Sequence, residues 1–204
     1  MELKRTHFCG DLREENIGQE VILAGWCQTR RDHGGVIFID LRDYTGITQV
    51  VFKKEISESA HNLADTIRGE FVLAARGKVE HRLEGNVNPK LPTGQIEILV
   101  QQLEILNQSQ TPPYVLENRS NVDEKLRLTY RFLDLRDSEL QKNLMLRSKA
   151  LQIVRNYFTS HRFFEIETPI LTKSTPEGAR DYLVPSRVNP GLFFALPQSP
   201  QLFK

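Results

Sequence analysis

Val36-Ile-Phe-Ile-Asp-Leu41, Thr48-Gln-Val-Val-Phe52, Ile56 to Arg68, and Phe71-Val-Leu-Ala-Ala-Arg-Gly-Lys-Val79 together decide the fold of the first half of this chain. Three of these stretches are runs of β-branched, aromatic and aliphatic residues bounded by turn formers, the pattern of short strands. The second differs. Its apolar positions Ile56, Ala60, Leu63, Ala64 and Ile67 are spaced by three and four, which predicts a short helix. Two more strand-like runs lie outward: Val21-Ile-Leu-Ala-Gly-Trp-Cys27, and Gln95-Ile-Glu-Ile-Leu-Val100 extending to about Leu106. His33-Gly-Gly35, Tyr44-Thr-Gly46, Gly85-Asn-Val-Asn-Pro89 and Thr93-Gly94 supply turns, with glycine for positive φ and asparagine for local backbone bonds.

Five strands with one helix between the third and fourth is the order of the five-stranded Greek-key barrel, the OB fold, which binds oligonucleotides on one face. Residues 1–106 are therefore read as such a domain. Asn107 to Asn121, with Gln-Ser-Gln-Thr-Pro-Pro inside it, is polar and helix-breaking and reads as an exposed linker. Asp123 to Leu135 reads as a short helix and hinge, so that 107–135 joins two domains.

Ser138-Glu-Leu-Gln141 fits a capping box that opens a long helix, with Gln at the third helical position. Leu140, Leu144, Leu146, Ala150, Leu151, Ile153, Val154, Tyr157 and Phe158 then cover roughly half the helix circumference. One packing surface needs less, so two partners are expected: the helix's own domain and a second subunit. Asn143 and Arg147 lie inside this stripe, and either snorkel to its edge or form an interface hydrogen bond. Phe163-Phe-Glu-Ile-Glu-Thr-Pro169 reads as a strand with Pro169 at its end or on an edge.

Composition excludes several classes. At 204 residues the chain holds one large domain or two modest ones, and 39% hydrophobic with 26% charged residues is ordinary for a soluble globular protein. A net charge of +1 imposes no global field, although a local basic stripe suffices for nucleic acid. Cys9 and Cys27 match no zinc spacing and read as reduced thiols, so no metal site is expected. Met1-Glu-Leu-Lys-Arg5 has no apolar run after it and is not a signal peptide. No stretch approaches the roughly 20 apolar residues of a membrane span. The expected location is cytoplasmic, with no membrane partner.

Two constellations carry chemistry. On the barrel, Arg30 and Arg31 lie beside Asp32-His-Gly-Gly35, Phe38 and Gln49 can share a face, and Arg82, Asn86, Asn88 and Glu97 surround the last two strands. Readout of single-stranded RNA needs such a set: arginine for phosphate, an aromatic to stack on a base, amides and carboxylates for base edges. Singly, Phe38 also fits a core position and Gln49 a solvated strand position. The second constellation is Thr175-Pro-Glu-Gly-Ala-Arg-Asp-Tyr-Leu-Val-Pro-Ser-Arg187 with Pro197-Gln-Ser-Pro-Gln-Leu-Phe-Lys204. It suits a small zwitterion, with Glu177 accepting from an ammonium group, Gln201 and Lys204 binding carboxylates, and Ser199 shaping the pocket. A charged surface loop is the alternative.

Gly25-Trp26, Arg30-Arg31-Asp32, Phe38-Ile-Asp-Leu-Arg-Asp43, Tyr130-Arg-Phe-Leu-Asp-Leu-Arg136, Phe164-Glu-Ile-Glu-Thr-Pro-Ile-Leu-Thr172, Thr175–Arg187 and Gln198–Lys204 together resemble the bacterial-type aspartyl-tRNA synthetases, class II enzymes. The resemblance runs in register along the whole chain and stops before the family's motif 2. It implies a barrel that grips the tRNA anticodon, with Phe38 stacking on the middle uridine and Gln49 bonding its edge. Arg31 would support the anticodon backbone or bases and Glu97 would read its first base; Arg82 and Asn86, from the barrel-face reading, are candidates for the same anticodon site. It implies that the long helix and the strand to Pro169 form motif 1, the homodimer interface. Residues 136–204 would then begin an antiparallel-sheet catalytic domain. Glu177, Ser199, Gln201 and Lys204 would line the aspartate pocket, Lys204 pairing with the substrate side chain.

The activity implied is ATP-dependent attachment of aspartate to its tRNA, with Mg²⁺. His33 and Gly85 match residues of members that also charge asparagine tRNA, which favours relaxed specificity. A stand-alone RNA-binding or regulatory relative is the rival reading. No complete catalytic set lies in these residues, because the arginines that hold ATP belong to motifs 2 and 3. The 204-residue chain is accordingly expected to catalyse no aspartate-dependent exchange of pyrophosphate into ATP; measurable turnover would overturn this.

Overall fold

Strict alternation along β2 (Val36–Arg42) buries Ile37, Ile39 and Leu41 completely, while Val36, Phe38, Asp40 and Arg42 stay half-exposed on the other face. That two-residue period organises the ring around it. The computed structural model describes residues 2–174, 180–200 and 203, in two compact units, Met1–Asn143 and Leu144–Lys204.

In the first unit, β1 (Glu20–His33) pairs antiparallel with β2 and β4 (Val72–His81). β2 pairs with β3 (Ile47–Phe52), β3 pairs in parallel with β5 (Ile96–Asn107), and β5 pairs with β4. The ring closes as a barrel in the order β1-β2-β3-β5-β4, the expected OB arrangement. Val21, Leu23, Ile37, Ile39, Leu41, Phe52, Leu73, Ile96 and Ile98 fill it. The two cysteines are free thiols within this core, and burial pushes Cys27 up to about 12 and Cys9 further still.

The helix α1 (Glu58–Asp65) starts two residues later than its apolar spacing suggested, because the Ser57 side chain caps it by accepting from the Ala60 N–H. Ala60, Ala64 and the following Ile67 seal the core, whereas Ile56 lies before the cap and is exposed.

The expected exposed linker 107–121 is only partly so. Tyr114 and Leu116 are buried against Leu133, with Val122, Leu126 and Tyr130 around them. The proline pair ends the polar stretch; beyond it the chain makes a 3-10 turn (Leu116–Asn121), α2 (Glu124–Thr129) and α3 (Arg131–Asp134). Asp134, 1% exposed, receives Arg119 Nε at 2.6 Å and also pairs with Arg131, so the small cluster is closed by charge as well as by apolar contact. Helix α4 (Ser138–Ser160) is capped not by Ser138 but by Asp137, whose Oδ1 accepts from the N–H groups of Glu139 and Leu140, both at 3.1 Å. A carboxylate at this place also meets the positive end of the helix dipole.

Glu70 joins the α3–α4 turn to the barrel. It is 6% exposed and lies at φ +64°, and its carboxylate takes Arg42 Nη2 at 2.8 and 2.9 Å and Arg136 Nη1 at 2.5 Å. The Arg136 guanidinium also lies over the Trp26 ring, 4.9 Å from its centroid.

In the second unit, Leu144, Leu146, Leu151, Ile153, Val154, Tyr157 and Phe158 of α4 are all exposed. Phe163–Pro169 forms no strand, since no other segment among the described residues offers it a ladder. The second half of the presumed loop does form one: β6 (Tyr182–Pro185) pairs with β7 (Phe193–Leu196), and Thr172 bridges to Ala195. Pro185 ends its strand, where a missing N–H costs no ladder bond.

Replacing Glu70 by Ala leaves two guanidinium groups facing each other without their shared anion. Such a loss costs about 3–5 kcal/mol when a buried pair is broken. Denaturant unfolding of E70A should fall by about 3 kcal/mol; a change under about 1 kcal/mol would show that the carboxylate is dispensable.

Candidate nucleic-acid interface

Residues opposite one another across an antiparallel ladder share a face. Arg31 lies opposite Phe38, Asp40 opposite Gln49, and Phe38 opposite Val51. Val51 in turn lies beside Leu99, which carries the same face onto β5. Arg31, Phe38, Asp40, Gln49 and Glu97 therefore form one continuous outward row across β1, β2, β3 and β5. The expectation that Phe38 and Gln49 share a face holds, and Phe38 lies outside the core.

The polar members of the row bind one another. Arg31 donates both terminal nitrogens to Asp40, at 2.6 and 2.8 Å, a bidentate pair that holds its guanidinium proton more tightly than usual. Gln49 donates Nε2 to Glu97 Oε2 at 2.9 Å, which fixes its amide orientation. Burial drives the Glu97 carboxyl above the ordinary range, against the opposing pull of the Gln49 bond and of Arg82 and Lys53.

Arg82 follows the last residue of β4. It is 8% exposed and donates Nε to the Ile96 carbonyl at 3.0 Å, while its Nη2 is buried with no protein partner. Burial lowers its affinity for its proton. A guanidinium nitrogen left without an acceptor beside a binding face is a ready donor for an incoming acceptor. The next turn ends with the Asn86 N–H bonded to the Leu83 carbonyl at 2.9 Å, with Gly85 at φ +90°, a conformation suited to glycine. Asn86 itself is exposed.

At the other end of the row, the β1–β2 hairpin turns on Gly34 and Gly35, at φ +63° and +83°. His33 precedes the turn, exposed, with its ring 6.0 Å from that of Phe38. The structure thus brings Arg31, His33, Phe38, Gln49 and Glu97 onto one surface, flanked by Arg82, Gly85 and Asn86.

Asp40 is the residue that motif reading passed over. It fixes Arg31 and sits between Phe38 and Arg42 in the β2 row, and the two-residue period was the signal that pointed to it. Of the second constellation, Ser199 is exposed, whereas Glu177, Gln201 and Lys204 lie outside the described residues. Pro169 is exposed. Among the described residues no three His, Cys, Asp or Glu side chains gather to hold a metal ion.

Comparison with known proteins places two families on the chain. Residues 21–106 match the OB-fold nucleic acid binding domain, and residues 123–204 match the tRNA synthetases class II (D, K and N). Relatives named aspartate–tRNA(Asp/Asn) ligase are similar along nearly all of it. That of Desulfotalea psychrophila is 61% identical over 99% of this chain and 33% of its own length, and that of Desulfatibacillum aliphaticivorans 59% over 99% and 34%. The chain thus spans about a third of the length of these relatives. Among solved structures, Pyrococcus horikoshii asparaginyl-tRNA synthetase complexed with asparaginyl-adenylate is 26% identical, with TM-score 0.82, 98% of this chain and 44% of that chain covered. The aspartyl-tRNA synthetase of Entamoeba histolytica, at 21% identity and TM-score 0.74 over 86% of this chain and 42% of its own, shares the fold.

The buried Glu97 carboxyl gives this surface a pH signature. Its folded pKa is raised, so the fold favours the protonated form, and the associated stability is lost as pH rises through that value. Glu97→Gln should therefore melt higher than the parent at pH 8, with the gap closing below the ordinary glutamate pKa of about 4.3. An equal gap at both pH values would contradict the burial account.

Proposed function

We propose that this chain, which belongs to the class II tRNA synthetases of the D, K and N group, is the anticodon-reading and motif 1 portion of an aspartate–tRNA ligase. The observation that carries the reading is the outward row Arg31, Phe38, Asp40, Gln49 and Glu97 on a closed OB barrel, half-exposed at Phe38 and internally paired elsewhere.

Residues 1–106 serve as the anticodon domain, 107–135 as the hinge and 136–204 as the start of the catalytic domain. Phe38 stacks on an unpaired anticodon base, and Gln49 meets that base's edge with its amide already oriented by Glu97. Arg31, held in one geometry by Asp40, faces phosphate or base without first losing rotamer freedom. Arg82 Nη2 takes an acceptor on the RNA, and Asn86 supplies an amide from the neighbouring turn. Glu97 reads the first anticodon base.

His33 and Gly85 set tRNA discrimination, and the double designation of the relatives supports relaxed charging of aspartate and asparagine tRNAs. Glu177, Ser199, Gln201 and Lys204 line the aspartate pocket. The exposed apolar face of α4 and Pro169 belong to a homodimer interface. ATP and Mg²⁺ are bound by the remainder of the protein, which supplies the activation chemistry. The protein works in the cytoplasm, where a tRNA synthetase is expected; separately, among the described residues no helix is long and apolar enough to cross a membrane.

The complete protein should charge aspartate tRNA with aspartate; charging of asparagine instead, or RNA binding without charging, would replace the ligase reading. Base stacking on an aromatic side chain contributes about 1–3 kcal/mol. Phe38→Ala in the complete protein should accordingly lower kcat/KM for tRNA by about 5- to 150-fold and leave tRNA-independent pyrophosphate exchange unchanged.

A further inference from the structure

We propose that α1 governs the tRNA discrimination of the barrel by bracing the β1–β2 hairpin, with His61 as the positioning residue. The inference rests on the anticodon-binding reading above and extends it to a helix that does not belong to the outward row.

His61 is 7% exposed, and its Nε2 lies 2.7 Å from the carbonyl oxygen of Gly35. A carbonyl only accepts, so Nε2 carries the hydrogen and donates it. Nδ1 of the same ring is buried with no partner. An apolar side chain at position 61 would avoid that unpaired nitrogen, so burial alone does not account for histidine here. The bond to Gly35 does.

A second tie reaches the other leg of the hairpin. Arg30 on β1 donates Nε to the Ala64 carbonyl at 3.2 Å and Nη2 to Asp65 Oδ1 at 2.5 Å. One short helix therefore holds the turn at Gly35 and the β1 leg of the hairpin at Arg30.

The turn itself has little else to hold it. Gly34 and Gly35 are both at positive φ and exposed, the geometry of a two-residue I′ hairpin, and the Gly35 N–H bonds Asp32 Oδ1 at 3.2 Å. A pair of glycines gives the loop more conformational freedom than any other dipeptide. His33 adjoins it, 6.0 Å from Phe38 between ring centres. A distortion at the turn moves His33, which adjoins it, relative to the Phe38 ring farther down the ladder, and with it the surface offered to the neighbouring anticodon base. His61 thus acts on recognition through His33 without touching RNA.

The test uses the complete protein and two aspartate tRNA transcripts, one with its own anticodon and one with the asparagine anticodon. The ratio of their kcat/KM values should change at least threefold in His61→Leu, and return to within twofold of the parent in His61→Gln, whose amide restores a donor. Asp65→Asn, an exposed change that does not threaten the core, should shift the ratio in the same direction. It carries the test alone if His61→Leu melts too low to assay. Pyrophosphate exchange without tRNA should stay within twofold in all three. A ratio unchanged within twofold in both His61→Leu and Asp65→Asn overturns the inference, as does a lowered rate with an unchanged ratio. If the parent charges neither transcript, it is the ligase reading that fails.

Discussion

The carboxylate of Glu70 is the constraint on which much of the first unit depends. It is buried, sits on a backbone of positive φ that a non-glycine residue rarely adopts, and is shared by two arginines from distant parts of the chain. Strain of that kind persists only where the surroundings over-determine it. Here Arg42 comes from the outward row of β2, and Arg136 comes from the turn that leads into α4. Arg136 is fixed a second time by the face of Trp26, which lies directly across the ladder from Arg42. The α3–α4 turn is therefore tied, through Glu70 and Arg42, to the strand that also carries Phe38 and Asp40.

The same strand explains why the outward row is largely prearranged. Long polar side chains lose rotamer freedom when they bind, and an interface that orders them beforehand avoids that cost on association. Arg31 is clamped by Asp40 and Gln49 by Glu97, so the groups proposed to meet RNA are already in one geometry. Burying Arg82 and Glu97 is unfavourable in itself, as their displaced proton affinities record. Strain and desolvation of this sort concentrate at functional sites, where an incoming partner supplies the missing bonds.

The barrel was legible because its elements are short, locally patterned and closed by their own residues. Periods of two and of three to four, with glycine and asparagine between them, sufficed for five strands and α1. The readings that failed involve groups whose role is set by distant partners. Ser138 looked like the cap until Asp137 took it, since both side chains suit the place and only geometry separates them. Tyr114 and Leu116 looked like linker residues because the proline pair before them dominates the local pattern, while Leu133 that buries them is remote in sequence. The outward row was half legible: Phe38 and Gln49 stand out by type, but Asp40 and His61 acquire meaning only through Arg31 and Gly35.

The two units differ in how much of their sites can be argued from their own residues. In the first unit a continuous apolar core supports every strand that carries a binding side chain. In the second, Ala195 is the sole buried apolar residue among those described, and the apolar residues of α4, Phe163, Phe164, Ile166 and Ile170 face water. Apolar burial is the dominant favourable term in folding, so a segment that buries almost none is held by packing against something else. A hairpin as short as β6–β7 is marginal alone. The packing that completes this unit therefore comes from outside its own residues. The candidate nucleic-acid face, by contrast, is a property of residues 1–143, where the barrel core supports each strand that carries it.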